Sequence, residues 1–280
     1  MIGLVHLVWA PLGIGPLREF LRSYHAHPAG AEHELVIVLN GAGSAGPASS
    51  SVREQLLAEL TETEHRLIAF EQPVLDLAAY GQAARQIERR SLCFLNSYSA
   101  ILADGWLGML SAALDGADVG LVGASGSWES QAEWTRGSAG YWIYQLASLR
   151  ATRRDYPRFP NPHIRTSAFM LARDTILELG LEEVRDKRSA YLLESGRQSI
   201  SRRVWGKDLR TLVVDRAGRS YDVQEWAASR TFRSGEQENL LIADNQTREY
   251  DTASTRRRRR LSRDSWGEWV EDHSGSAERP

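Results

Sequence analysis

Between residues 2 and 122, short apolar runs alternate with stretches of helical spacing. This alternation constrains the fold more than any other feature of the chain. The runs fall at residues 2–9, 34–39, 66–70, 92–95 and 119–122, and the helical stretches at 16–23, 52–60, 75–89 and 105–114. A continuous apolar run such as ELVIVL is what a strand buried on both faces needs. Strand, loop, helix and strand repeated at this spacing predict an α/β domain built on a mostly parallel sheet with helices on both sides. In such sheets the crossovers are right-handed and ligands bind at the carboxyl ends of the strands. Trp9, Asn40, Glu71, Asn96 and Ser125 are therefore expected along one rim.

After residue 125 the pattern weakens. Residues 127–159 are rich in aromatic side chains (Trp128, Trp134, Tyr141, Trp142, Tyr144, Tyr156), as helices and a loop covering a site would be. A strand is expected over 164–171, helices over 174–179 and 199–205, a strand over 209–214, and a hairpin turn at 216–219. From residue 252 the chain turns polar and arginine-rich, and the last ten or so residues are expected to be disordered. The boundaries expected are a domain over 1–215, an extension packed on it over 216–252, and an arginine-rich, partly disordered tail over 253–280.

Composition excludes several classes. The 280 residues carry a formal charge of −2, which argues against a protein built around nucleic acid. One cysteine, Cys93, cannot form an internal disulfide or a multi-cysteine metal site. No apolar run reaches about 18 residues, and the apolar start lacks a basic flank and a cleavage site. It reads as a first strand, with the cytoplasm as the default location. All but two of the 34 basic residues are arginine; the exceptions are Lys187 and Lys207. The run at 256–260 could touch phosphate or the inner face of an anionic membrane, although a solvated helix face is the commoner meaning.

Four segments could carry chemistry. Phe94-Leu95-Asn96-Ser97-Tyr98-Ser99 ends a strand in amide and hydroxyl oxygens, which without a carboxylate make a weak cation site. Glu194, near Gly206, is expected at a helix start, where a carboxylate facing a cleft could act as a general base. In the segment from Pro160 to Met170, His163 and Arg165 could bind phosphate or a sugar hydroxyl. Residues 41–46 spell a formal GxGxxG that could cradle a pyrophosphate, with Glu71 on a ribose, but Pro47 follows at once and a small-residue loop is the stronger reading.

In order and spacing these segments resemble an inverting GT-A-fold glycosyltransferase, similar to the family 2 group. The opening strand and Trp9-Ala10-Pro11 loop, the strand ending in Asn40, the helix from Asp76 with Tyr80-Gly81, FLNSYS followed by Trp106-Leu107, GLVGASGS, and Glu194 with Gly206 carry the likeness over roughly residues 1–215. It implies a nucleotide-sugar donor and a glycan or glycolipid acceptor. Trp9, Ala10, Pro11, Asn40 and Asp76 would hold base and ribose, and Asn96, Ser97 and Ser99 would lie beside the diphosphate. Trp128, Arg165, Thr166 and Ser167 would shape the acceptor pocket, and Glu194 would take the acceptor proton. The family's Asp-x-Asp is replaced by Asn-Ser-Tyr-Ser, so a Mg²⁺ or Mn²⁺ ion lacks its usual carboxylates. Arg202 and Arg203 are then the candidates to neutralise the leaving group. Two rivals stand beside this reading: a nicotinamide-dependent oxidoreductase using residues 41–46, and a non-catalytic module that binds sugar nucleotides or glycans.

Overall fold

The computed structural model describes residues 1–43, 47–132 and 154–267; within 47–51 it describes the backbone alone. Strand β1 (Ile2–Trp9) leads through a proline-containing turn to helix α1 (Gly15–Ala26), and β2 (His33–Asn40) to α2 (Pro47–Glu59). β3 (Arg66–Phe70) precedes α3 (Asp76–Gln86), and β4 (Ser91–Leu95) and the short β5 (Ala100–Ile101) precede α4 (Trp106–Leu114). β6 (Val119–Gly123), β7 (Gly126–Ser127), β8 (His163–Ile164) and β9 (Ala168–Ala172) follow. Then come α5 (Arg173–Leu179), α6 (Lys187–Ser195), α7 (Ile200–Trp205) and β10 (Arg210–Val214). β11 (Ser220–Tyr221), β12 (Ile242–Ala243), α8 (Asn245–Thr252) and α9 (Thr255–Trp266) complete the described chain.

Eight strands form one sheet in the order β11-β10-β6-β9-β4-β1-β2-β3. β4, β1, β2 and β3 run parallel, as do β6 and β10; β9 runs antiparallel between β4 and β6, and β11 folds back on β10. This is the mixed, mostly parallel α/β sheet flanked by helices that the alternation and the resemblance implied. Side chains alternate between faces at period two. Leu4 and Val8 of β1 and Leu35, Ile37 and Leu39 of β2 pack with α1, α2 and α4. Val5, Leu7, Val36 and Val38 pack on the other side with α3, α5 and α7. His6 points to the first face and stacks on Phe20, ring centroids 3.8 Å apart. Burial there holds its pKa at about 3, so it is a neutral core ring.

Two glycines set close approaches. In α3, a Cβ on Gly81 would stand 2.4 Å from the backbone nitrogen of Glu182, so the helix lies against the turn at Leu181–Glu183 only because that atom is missing. Glycine inside a helix costs about 1 kcal/mol relative to alanine. On β7, a Cβ on Gly126 would meet the Trp226 ring at 2.6 Å, which lets the C-terminal extension pack onto the sheet edge. β12 of that extension also pairs with β5.

Two sequence expectations change, and a third falls on residues not described. The strand expected over 164–171 is two, β8 and β9, because residues 165–167 turn out of the ladder. The arginine-rich stretch is helical over Thr255–Trp266 and buries Leu261, Ser262, Ser265 and Trp266. The aromatic cover expected from Trp134, Tyr141, Trp142 and Tyr144 lies outside the described residues, as does the C-terminal end from 268. Among the described residues no helix is long and apolar enough to cross a membrane.

Candidate active site

Register aligns Trp9 with Asn40 and Asn40 with Phe70, so the strand ends expected to form a rim do form one. β4 stops short, with Leu95 opposite His6, and leaves room for the loop at 96–99. That loop is a self-satisfied turn. Asn96 Oδ1 accepts from the Tyr98 N–H (3.0 Å) and the Ser99 hydroxyl (3.1 Å), and Ser97 Oγ accepts from the Trp9 N–H (3.1 Å). Asn40 is buried and holds Val74 from both sides: Nδ2 donates to the Val74 carbonyl at 2.7 Å, and Oδ1 accepts its N–H at 3.0 Å. Asn40 thus fixes the chain that leads into Asp76, the first residue of α3. Ala10 is buried at the rim and Pro11 exposed.

The loop from β8 to β9 organises the other side. Arg165 turns inward, donates to Ser125 Oγ (3.1 Å), pairs with Asp244 at 2.7 Å and lies 3.9 Å above the Phe232 ring. Asp244 also caps α8, accepting from the Gln246 and Thr247 N–H groups. Burial alone would raise the Asp244 carboxyl. Arg165, the Thr247 N–H and the Ser167 hydroxyl outweigh it and hold the group below the usual carboxylate range. Ser167 also accepts, through its carbonyl, the Asn96 N–H (2.9 Å), which ties this loop to the end of β4.

Thr166 holds Glu194. Glu194 Oε1 accepts the Thr166 N–H at 3.2 Å and its hydroxyl at 3.1 Å. Glu194 sits in the last turn of α6 and not at a helix start as expected. The helix begins with a capping box at Asp186 and ends at Gly196. The helix dipole there disfavours a carboxylate, so Thr166 supplies the donors that the helix end does not. Asn161 fixes the same helix end, donating to the Ser195 carbonyl at 2.7 Å.

Glu194 lines a cavity of about 920 Å³ that is walled by His163, Arg233 and α9. His163 Nδ1 lies 2.8 Å from the Asn161 carbonyl. A carbonyl only accepts, so Nδ1 carries the hydrogen and Nε2 is the basic nitrogen. Burial lowers the His163 pKa, against the pull of Glu194, and leaves the ring neutral. Asp76 approaches from the rim. Burial raises its carboxyl, and the charge of Glu194 raises it further, so the two carboxylates are within electrostatic reach of each other.

Other expected residues are placed elsewhere. Arg203 donates to the Leu179 carbonyl (2.9 Å), and Arg202 reaches Asn161 Oδ1 (3.3 Å); neither lines the cavity. Trp128, expected to shape the acceptor pocket, is packed edge-on against Trp266 with its indole N–H on the Val223 carbonyl and does not line the cavity. At residues 41–43 the backbone N–H groups are spent on the Phe70 and Glu71 carbonyls, which leaves none of the three for a pyrophosphate. Besides Arg165, the arginines that reach the cavity are Arg233, Arg257, Arg260 and Arg263. Arg257 and Arg260 belong to the run at 256–260 that could touch phosphate, whereas no motif marks Arg233 or Arg263. The i, i+3, i+6 spacing of Arg257, Arg260 and Arg263 puts them on one helix face. Among the described residues no group of three or more His, Cys, Asp or Glu side chains could hold a metal ion. At the strand end, Asn96 Oδ1 already serves two donors, so the donor set does not fit a divalent cation there.

No protein-family model matches the chain, and no curated protein matches it in sequence. Among solved structures it is similar to the mannosyltransferase PcManGT from Pyrobaculum calidifontis in complex with GDP-Man and Mn²⁺, with a TM-score of 0.48 and 12% identity over 82% of this chain. The chain spans 59% of the length of that protein. It is also similar to S. aureus TarS 1-349, with a TM-score of 0.41 and 12% identity over 67% of this chain and 52% of that one. The figures for HddC from Yersinia pseudotuberculosis are a TM-score of 0.39 and 13% identity, over 66% of this chain and 83% of that one.

Proposed function

We propose that the chain is a glycosyltransferase. It moves a sugar from a nucleotide-sugar donor to a hydroxyl of a glycan or glycolipid, with inversion at the anomeric carbon and Glu194 as general base. The observation that carries this reading is the Glu194 carboxylate, held through one oxygen by Thr166 while it lines a large polar cavity beside the strand-end rim.

The donor occupies the rim, with Trp9, Ala10, Pro11 and Asp76 around base and ribose and the turn at Asn96, Ser97 and Ser99 beside the diphosphate. Asn40 acts there by holding Val74 in place. The acceptor occupies the cavity that Arg165 lines, with Thr166 acting through its hold on Glu194 and Ser167 through its tie to Asn96. Glu194 takes the acceptor hydroxyl proton as that oxygen bonds to the anomeric carbon. The carbon–oxygen bond to the diphosphate breaks, and its electron pair leaves with the nucleoside diphosphate. A fixed carboxylate within reach of the hydroxyl contributes about 10²–10⁴ in rate. The bonded N–H groups at 41–43 weigh against the oxidoreductase rival.

The test is a panel of nucleotide sugars with the wild-type chain, followed by thermal shift and by proton NMR of the anomeric signal. Stabilisation by one donor and its conversion to product or free sugar of inverted configuration is expected. Stabilisation without any turnover, transfer or hydrolysis, would make the chain a binding module. Stabilisation by NADH alone would replace the reading.

A further inference from the structure

Arg233 is a buried charge in the cavity whose donors are incompletely met. Its side chain is 7% exposed, and its Nη1 lies 3.4 Å from both Glu129 Oε2 and Ser265 Oγ. Its Nη2 lies 3.2 Å from Gln246 Oε1, and its Nε is buried without a partner. A guanidinium carries five N–H donors and no acceptor, and taking it out of water is costly unless those donors are met. The neighbouring Arg165 shows the contrast. Both guanidiniums lie against the Phe232 ring, at 3.9 and 4.8 Å, but Arg165 has Asp244 at 2.7 Å.

Helix α9 adds charge above Arg233. It turns Arg257, Arg260 and Arg263 along the cavity. Glu249 holds Arg257 at 2.7 Å, Asp264 approaches Arg260 only to 3.7 Å, and Arg263 has no ion pair among the described residues. Glu129, Glu249 and Asp264 line the cavity as well, but Arg233, Arg260 and Arg263 are left with weak or no countercharges, and Glu194 faces the same space. Like charges repel, so an anionic group settles against these arginines and an uncharged hydroxyl is what can approach Glu194.

We propose that Arg233, with Arg260 and Arg263, forms a subsite for a phosphate group carried by the acceptor. The subsite rests on the arginine geometry; only the assignment of the phosphate to the acceptor rests on the transferase reading. The rim residues Trp9, Asn96 and Ser99 do not line this cavity, so the subsite is separate from the rim assigned to the donor.

The test titrates inorganic phosphate into the full chain by calorimetry at low salt, alone and saturated with the nucleoside diphosphate that stabilises it. Phosphate is expected to bind in both cases. Arg233→Gln is expected to weaken it about tenfold or more, since charge-assisted bonds are lost. The exposed pair Arg260→Gln/Arg263→Gln is expected to weaken it about threefold, with a shallower salt dependence. Both variants keep the nucleoside diphosphate affinity within about twofold. No phosphate binding to the wild type, or unchanged binding to the Arg260→Gln/Arg263→Gln pair, overturns the subsite even if Arg233→Gln does not fold. Exclusion of phosphate by the nucleoside diphosphate, or parallel loss of both ligands in Arg233→Gln, assigns the arginines to the donor and overturns the acceptor assignment. If no nucleoside diphosphate binds, the transferase reading and the acceptor assignment fall together, while the phosphate titration without nucleotide still decides the subsite.

Discussion

Replacing Asp244 by asparagine isolates one buried charge. Asparagine keeps an oxygen for the Gln246 and Thr247 N–H groups, so the cap on α8 survives. What is lost is the countercharge 2.7 Å from Arg165, in a pair whose side chains are 6% and 3% exposed. Leaving a buried charge uncompensated costs about 3–5 kcal/mol. Set against a total stability of about 5–15 kcal/mol, that is about a fifth or more. The melting temperature falls by about 6–20 °C at about 2–4 °C per kcal/mol. The double variant Arg165→Met/Asp244→Asn removes both charges and is expected to recover at least about 2 kcal/mol relative to the sum of the single changes. Urea unfolding at pH 7, followed by tryptophan fluorescence, measures all three. The pH dependence adds a sign. The Asp244 carboxyl is held below its unfolded value of 3.8, so the unfolded chain binds that proton more tightly. The stabilisation is complete above the unfolded value and is lost as pH falls through the folded one. The asparagine variant lacks that acid loss. A cost below about 1 kcal/mol for Asp244→Asn, or strict additivity in the double variant, would refute the reasoning.

Other outcomes follow from the same geometry. Arg203→Ala leaves turnover unchanged and costs about 1 kcal/mol, the bond to the Leu179 carbonyl, as read by urea midpoint and steady-state rate. Thr166→Val removes one of the two bonds that hold Glu194 and lowers kcat by about tenfold with little change in donor affinity. His163 has a pKa below its unfolded 6.5, so its contribution to stability is present above pH 6.5 and lost as pH falls through its folded value; His163→Gln flattens that part of the curve. Asp76 has the opposite sign. Its raised carboxyl makes stability fall as pH rises from the unfolded 3.8 through the folded value, so Asp76→Asn gains thermal stability at pH 7 and loses the gain below pH 4.

The sheet was legible because its signal is local. Uninterrupted apolar runs such as ELVIVL require burial on both faces, and the rim followed from where those runs stop. The hairpin at 216–219 was legible for the same reason, with Gly218 at a φ of 81° joining β10 to β11. The site was legible only where a motif and a strand end coincide, as at Trp9, Asn40 and Asn96. Glu194 was picked out, but at the wrong end of its helix, because the capping box lies eight residues earlier at Asp186 in an unremarkable polar stretch. Sequence proximity to Glu194 points to Arg202 and Arg203, whereas the cavity is completed by Arg233 and α9, brought there by long-range contacts such as Arg165 with Asp244. Such pairs, 79 positions apart in sequence, leave no periodicity to read.

The central claim, that Glu194 is the base of a sugar transfer, is tested most directly by Glu194→Gln in a single-turnover assay with bound nucleotide sugar. Glutamine keeps the carbonyl oxygen that Thr166 holds but cannot accept the acceptor proton. Donor affinity within about twofold of wild type, with transfer slower by about 10²–10⁴, is the expected result. Transfer within about tenfold of wild type in that variant would contradict it.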